Sequence, residues 1–278
     1  MVEIQKKRIP WNLIKDKLFL SIILVLSFLI LVPVIWILGY IFYEGFSYVN
    51  WSLLIGDERN GGILNAIVGS LIMVIVATLF AVPVGVLAGI FLSENKQSRF
   101  AEIIRVLVDV LQGVPSIVIG IIAYVWIVLP LKSFSAFSGA LALSIIMLPV
   151  IIKNTEESLK LIPGLLKEAA YSIGAPYHKV IIDIVLPACL SGILTGILVA
   201  IARVFGETAP LLFTAFGNPD LQFSLFKPME ALPPLIYKYA SSPDTDMIHK
   251  AWAASLILAV IVLILNISTR LVIKKLKR

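Results

Sequence analysis

Residues 60–93 read NGGILNAIVGSLIMVIVATLFAVPVGVLAGIFLS, a run without one Asp, Glu, Lys or Arg. About 20 consecutive apolar residues carry a helix across the hydrocarbon of a bilayer, so this run is long enough to cross. Asn60-Gly61-Gly62 reads as the turn that precedes the helix. Strands cross membranes only as closed barrels, whose segments alternate polar and apolar residues. This stretch is continuously apolar, so it is a membrane helix.

Five further runs of the same kind flank it: Leu18 to Tyr43, Val110 to Leu131, Ser133 to Ile152, Ile184 to Ala202, and Ala251 to Thr269. The whole composition agrees. Of 278 residues, 59% are hydrophobic and 14% charged, with a mean hydropathy of +1.00. Soluble domains carry about 25% charged residues, so an ordinary cytosolic enzyme, a secreted disulfide scaffold and a disordered chain are excluded. The expected fold is an all-α integral membrane protein of six spans. Leu18 to Tyr43 is too long for a signal peptide, and no small-residue cleavage site closes it before Glu44. It is expected to stay as the first span. Pro33, Pro83, Pro115 and Pro149 fall inside spans, where a missing N–H should bend the helix.

Lys and Arg are distributed unevenly between the spans. The N-terminal arm, the second-to-third connection, the fourth-to-fifth connection and the tail hold 17 of them, and the opposite side holds 6. Positive charge marks the cytoplasmic side, so both termini are expected there. The net charge of +6 reads as topology in such a chain, not as nucleic-acid binding. Cys189 lies alone in apolar sequence and reads as a small core residue. The two histidines are far apart, and no metal ligand set, cofactor or catalytic residue is expected. No G-x-x-x-x-G-K-[ST] loop occurs, so ATP hydrolysis by the usual route is not expected of this chain.

Between the fourth and fifth spans, residues 153–183 are polar yet patterned. Thr155-Glu156-Glu157 is expected to open a helical piece, with Leu159, Ile162, Leu165 and Leu166 on one face. Pro163-Gly164 interrupts it, and a second piece through Glu168-Ala169-Ala170 ends at Gly174-Ala175-Pro176. Inside the bundle two charged pairs stand at i and i+4. Arg105 and Asp109 are expected to pair on one helix face. Arg203, paired with Glu207, lies about 24 Å along a helix from Pro187, which puts the guanidinium in the outer half of the membrane. Such a charge asks for a reason. An Arg fork suits a tetrahedral oxyanion, and a purely structural pair is the alternative.

Glu168-Ala169-Ala170, three residues, Gly174, nine residues, then Ile184-Val185-Leu186-Pro187 resembles the EAA loop of ABC importer permeases at every fixed position. The resemblance implies a coupling helix that docks into an ATPase subunit, through Glu168, Ala169, Ala170 and Gly174. Pro187 would mark the chain's return to the membrane. Further stretches resemble one branch, the phosphate-specific transport permeases and their PstA-type subunits. They are Gly113-Val114-Pro115-Ser116-Ile117-Val118, Ile145-Ile146-Met147-Leu148-Pro149-Val150, Ala202 to Ala215, and Ala231-Leu232-Pro233 with Ala251-Trp252-Ala253-Ala254.

This resemblance implies a MetI-like permease bundle, not an enzyme, that carries inorganic phosphate across the cytoplasmic (inner) membrane of the cell. Arg203 and Glu207 would lie on the anion's path. The implied partners are an ABC ATPase dimer, a second, PstC-type permease and an extracytoplasmic phosphate-binding protein. Residues 1–59 would form the arm, first span and external loop. Residues 60–275 would form the permease domain, with the cytoplasmic loop 153–183 and an external segment 208–250. A permease for another oxyanion, a secondary transporter or channel, and a structural scaffold remain the alternatives at this stage.

Overall fold

A computed structural model describes residues 11–276. Lys6, Lys7 and Arg8 of the arm and Lys277 and Arg278 of the tail lie outside the described residues. The described chain is helical, with one isolated bridge between Phe216 and Met229.

The apolar runs become long helices. α1 spans Trp11–Tyr48, α2 Leu64–Glu94, α3 Arg99–Gly113 and α4 Ser116–Leu131. α5 spans Ala136–Lys160, α6 Gly164–Ser172 and α7 Tyr177–Phe205. α8 spans Ala209–Thr214, α9 Leu232–Ala240 and α10 Thr245–Leu276. Five helices are long and apolar enough to cross a membrane, and α3 with α4 makes a sixth, bent span.

That bend falls at Pro115, where a bend was expected within the Val110 to Leu131 run, and it is sharp enough to split the run into two helices. α3 and α4 meet at 105°. Pro115 lacks the N–H a continuing helix needs and drives the residue before it out of the helical region; Val114 is extended (φ −69°, ψ 131°). Pro33, Pro83 and Pro149 stay inside unbroken helices. Two other prolines are accommodated by π-helical turns immediately upstream, Tyr124–Val128 before Pro130 and Val180–Val185 before Pro187. A wider turn accommodates the missing donor while the helix continues. Pro187 therefore does not open the helix, which already runs from Tyr177.

The centre of the bundle is the α2–α5 pair. Without a hydrophobic force between helices in lipid, close packing needs small residues. A Cβ on Gly85 would sit 2.7 Å from Ile151, and one on Gly89 would sit 2.5 Å from Thr155. Met73, Ala77 and Ala81 of α2 and Ala140, Leu143, Met147 and Ile151 of α5 share one buried cluster with Val204 and Phe205 of α7. α1 is held differently. It packs along α10 through Tyr40 on Trp252, with ring centroids 5.1 Å apart, and Tyr48 on His249, at 4.0 Å. Most of its apolar side chains, Leu18 through Phe46, stay exposed within this chain.

The stretch after α7 is not a free external loop. α8 tucks back against α4 and α5, where Pro210, Leu211 and Thr214 are buried and Pro210 lies against Gly120. The 208–250 segment then returns through α9, which packs on α10. Cys189 is buried, as its apolar surroundings suggest.

Candidate functional site

Two places bring the sequence-predicted residues together, one at each end of α7. At its start stands α6. α5 does not stop where the polar sequence begins, because nothing before Pro163-Gly164 breaks it. Thr155, Glu156 and Glu157 are its last turns, not the opening of a new helix, which corrects the reading above. Leu159 is buried in the bundle, whereas Leu161 is 83% exposed and Leu165 76%. The break turns one apolar stripe into an inner part and an outer part.

α6 closes with Gly174 at φ +81°. Gly174 N–H donates to the Tyr171 carbonyl at 2.9 Å, and Ala175 N–H reaches back to Ala170 at 3.2 Å. This pair of bonds is the Schellman cap, which needs a left-handed residue. Glu168, Ala169 and Gly174 face outward, and Ala170 is buried. The two alanines therefore differ. Ala169 leaves room for an approaching surface, and Ala170 seats α6 on Leu159, Val180 and Val185 of its own bundle.

Around α6 lies a charge network that i, i+4 reasoning misassigned. Arg105 does not pair with Asp109. Its Nε donates to Glu156 at 2.8 Å and its Nη2 to the Leu92 carbonyl at 2.6 Å. Asp109 instead meets Lys153 at 2.5 Å. The cross-helix partners win because Glu156 is buried and also holds Lys160 at 2.8 Å. Lys167 pairs with Glu94 at the end of α2. Neither residue was singled out from the sequence, although Glu94 ends the 60–93 run and Lys167 adjoins Glu168.

At the other end of α7, Arg203 and Glu207 do meet, loosely. Arg203 Nε lies 3.7 Å from Glu207 Oε1, and the arginine side chain is 41% exposed. Among the described residues the guanidinium makes no hydrogen bond, so its fork of donors is free for a ligand. The adjacent turn edges an open cleft of about 790 Å³ lined by Leu38, Ala202, Gly206, Ile236 and Leu258. That lining is apolar and suits acyl chains. Arg203 itself is not among the residues that line the cleft.

A second carboxylate cluster lies in the 208–250 segment. Buried Glu230 accepts from Ala231 N–H at 3.1 Å, and Lys238 reaches Glu230 at 3.6 Å and Glu58 at 2.5 Å. Burial pushes the Glu230 carboxyl above its ordinary range, against the pull of Lys238. A raised folded-state pKa supports the native state at low pH, and that support is lost as pH rises from the ordinary glutamate range through the raised value. Glu230→Gln should therefore raise the melting temperature by roughly a few degrees at pH 8 and leave it unchanged near pH 4, as read by thermal unfolding.

Residues 81–278 match the family described as binding-protein-dependent transport system inner membrane component. The chain belongs to this family. It is 40% identical over 272 residues to the phosphate transport system permease protein PstA of Haemophilus influenzae, covering 96% of each chain. It is 35% identical to the probable phosphate transport system permease protein PstA of Methanocaldococcus jannaschii, covering 95% of each. Among solved structures, a chain of the MetNI methionine ABC transporter in an inward-facing conformation superposes with a TM-score of 0.66 at 16% identity. That match covers 78% of this chain and 96% of the other, and establishes the MetI-like permease fold. As a family member, the chain is a membrane-embedded transport component of ABC type.

Proposed function

We propose that the chain is the PstA-like permease subunit of an ATP-driven importer that moves inorganic phosphate across the inner membrane. It would act in a heterodimer with a PstC-type permease, on an ABC ATPase dimer, and receive phosphate from an extracytoplasmic binding protein. The observation that carries this reading is the near-full-length similarity to PstA permeases. The outward face of α6 supports it. Leu161, Leu165 and Ile173 are exposed beside Glu168, an apolar face at a charged end of the bundle that a partner's groove would cover. Residues 60–275 would be the working permease domain. ATP-driven movement of α6 would switch access between the two permeases, and Arg203 with Glu207 would line the anion's way.

Purification from the membrane should bring down an ATPase subunit and a second permease, with ATP hydrolysis that rises on adding phosphate-loaded binding protein. Stimulation by a sulfate- or molybdate-loaded protein instead would move the assignment to another oxyanion.

The orientation follows from the same reading: both termini and α6 lie in the cytoplasm. In a Cys189→Ser background, Lys179→Cys should react with an impermeant thiol reagent only from inside, and Lys227→Cys only from outside. Labelling of Lys179→Cys in intact cells would invert the topology and remove α6 from reach of an ATPase.

A further inference from the structure

α6 is tied to the bundle in two ways. One is apolar: Ala170 sits in a cluster with Leu159, Val180, Ile181 and Val185. The other is ionic. Lys167, one residue before outward-facing Glu168, turns inward to Glu94, and their side chains are 21% and 15% exposed.

The ion pair does not lie in a packed seam. A crevice of about 570 Å³ separates the two elements, lined on one side by residues 93–98 of the α2–α3 turn and on the other by Leu159, Ile162, Gly164 and Lys167. Lys167 and Glu94 face each other across it and form a bridge. Behind Glu94, α2 packs closely along α5, with Gly85 against Ile151 and Gly89 against Thr155. Movement applied to α6 thus has a direct route into the α2–α5 pair. Both side chains are largely covered, so losing one partner leaves the other without its counter-charge.

We propose that Lys167 and Glu94 form a strut that transmits the movement of α6 to α2, so that both are positioning residues for transport. This rests on the reading of α6 as the docking element. A severed strut leaves docking in place but lets ATP hydrolysis run without moving the spans.

The test uses the assembled complex of both permeases, ATPase and binding protein in proteoliposomes, with Glu94→Gln, Lys167→Met and the double variant. Two quantities are read: ATPase subunit retained, and phosphate taken up per ATP hydrolysed. Retention should match the unaltered complex, and uptake per ATP should fall about tenfold in each single variant. The double variant should be no worse than either single one, since both remove one interaction. Undiminished uptake per ATP in both single variants, or losses that multiply in the double, would overturn the strut and leave docking untouched. Loss of the ATPase subunit in Lys167→Met but not Glu94→Gln would also overturn it, by placing Lys167 in the docking surface. The docking reading fails by a separate route, if Leu165→Glu leaves retention and uptake intact.

Discussion

Arg203→Gln should assemble normally, keep ATPase activity, and lose phosphate uptake by on the order of a hundredfold. An anion leaving water needs a fixed positive charge in place of part of its hydration, and a charge left uncompensated at membrane depth costs about 2.5–3.5 kcal/mol. At about 1.4 kcal/mol per factor of ten, that range sets the expected loss. Arg203 is suited to the task by what it does not do: its guanidinium forms no hydrogen bond among the described residues and meets Glu207 only at 3.7 Å. It stands about 39 Å of helix away from Tyr177, where α7 begins beside α6, so its removal should not disturb docking. Arg203→Lys keeps the charge but not the planar fork and should recover only part of the transport. Uptake normalised to assembled complex is the readout, and near-normal uptake in Arg203→Gln would show that the pair is structural.

Gly174→Val should weaken retention of the ATPase subunit about tenfold while leaving the chain in the membrane. No heavy atom lies within 4 Å of a Cβ placed on Gly174, so the cost is conformational and not a clash. At φ +81° an L residue is strained by about 1–2 kcal/mol, and a β-branched one by more. The cap would open and α6 would lose its direction. Gly174→Asn, which tolerates the left-handed region, should be much milder. Equal retention for the glycine, asparagine and valine forms would remove Gly174 from the docking account.

The spans were legible because lipid demands long apolar helices, and residues 60–93 or 184–202 announce them without help. Pro115 marked where α3 breaks from α4, but not how far the break would go. A hydropathy run ignores backbone chemistry, and Val114-Pro115 disrupts the helix without adding polarity. The end of α5 was misplaced for the converse reason, since Glu156 looks like a solvated residue until Arg105 and Lys160 are seen to hold it. Pairing followed the same pattern. The i, i+4 rule brings Arg203 to Glu207, which have no better partners among the described residues, but fails for Arg105 and Asp109, whose partners come from α5. The strut of Lys167 and Glu94 joins residues 73 apart in sequence, and no local pattern encodes such a meeting. The EAA-like spacing pointed to α6, yet only the structure separates Ala169, which faces out, from Ala170, which seats the helix.

The most direct measurement is radiolabelled phosphate uptake into proteoliposomes holding this chain with the second permease and the ATPase, with binding protein supplied on the extracytoplasmic face. Uptake should require ATP, the binding protein and both permeases, and should stop when any one is withheld. Phosphate uptake by this chain alone, without ATP, would contradict the account and make it a channel or a secondary transporter.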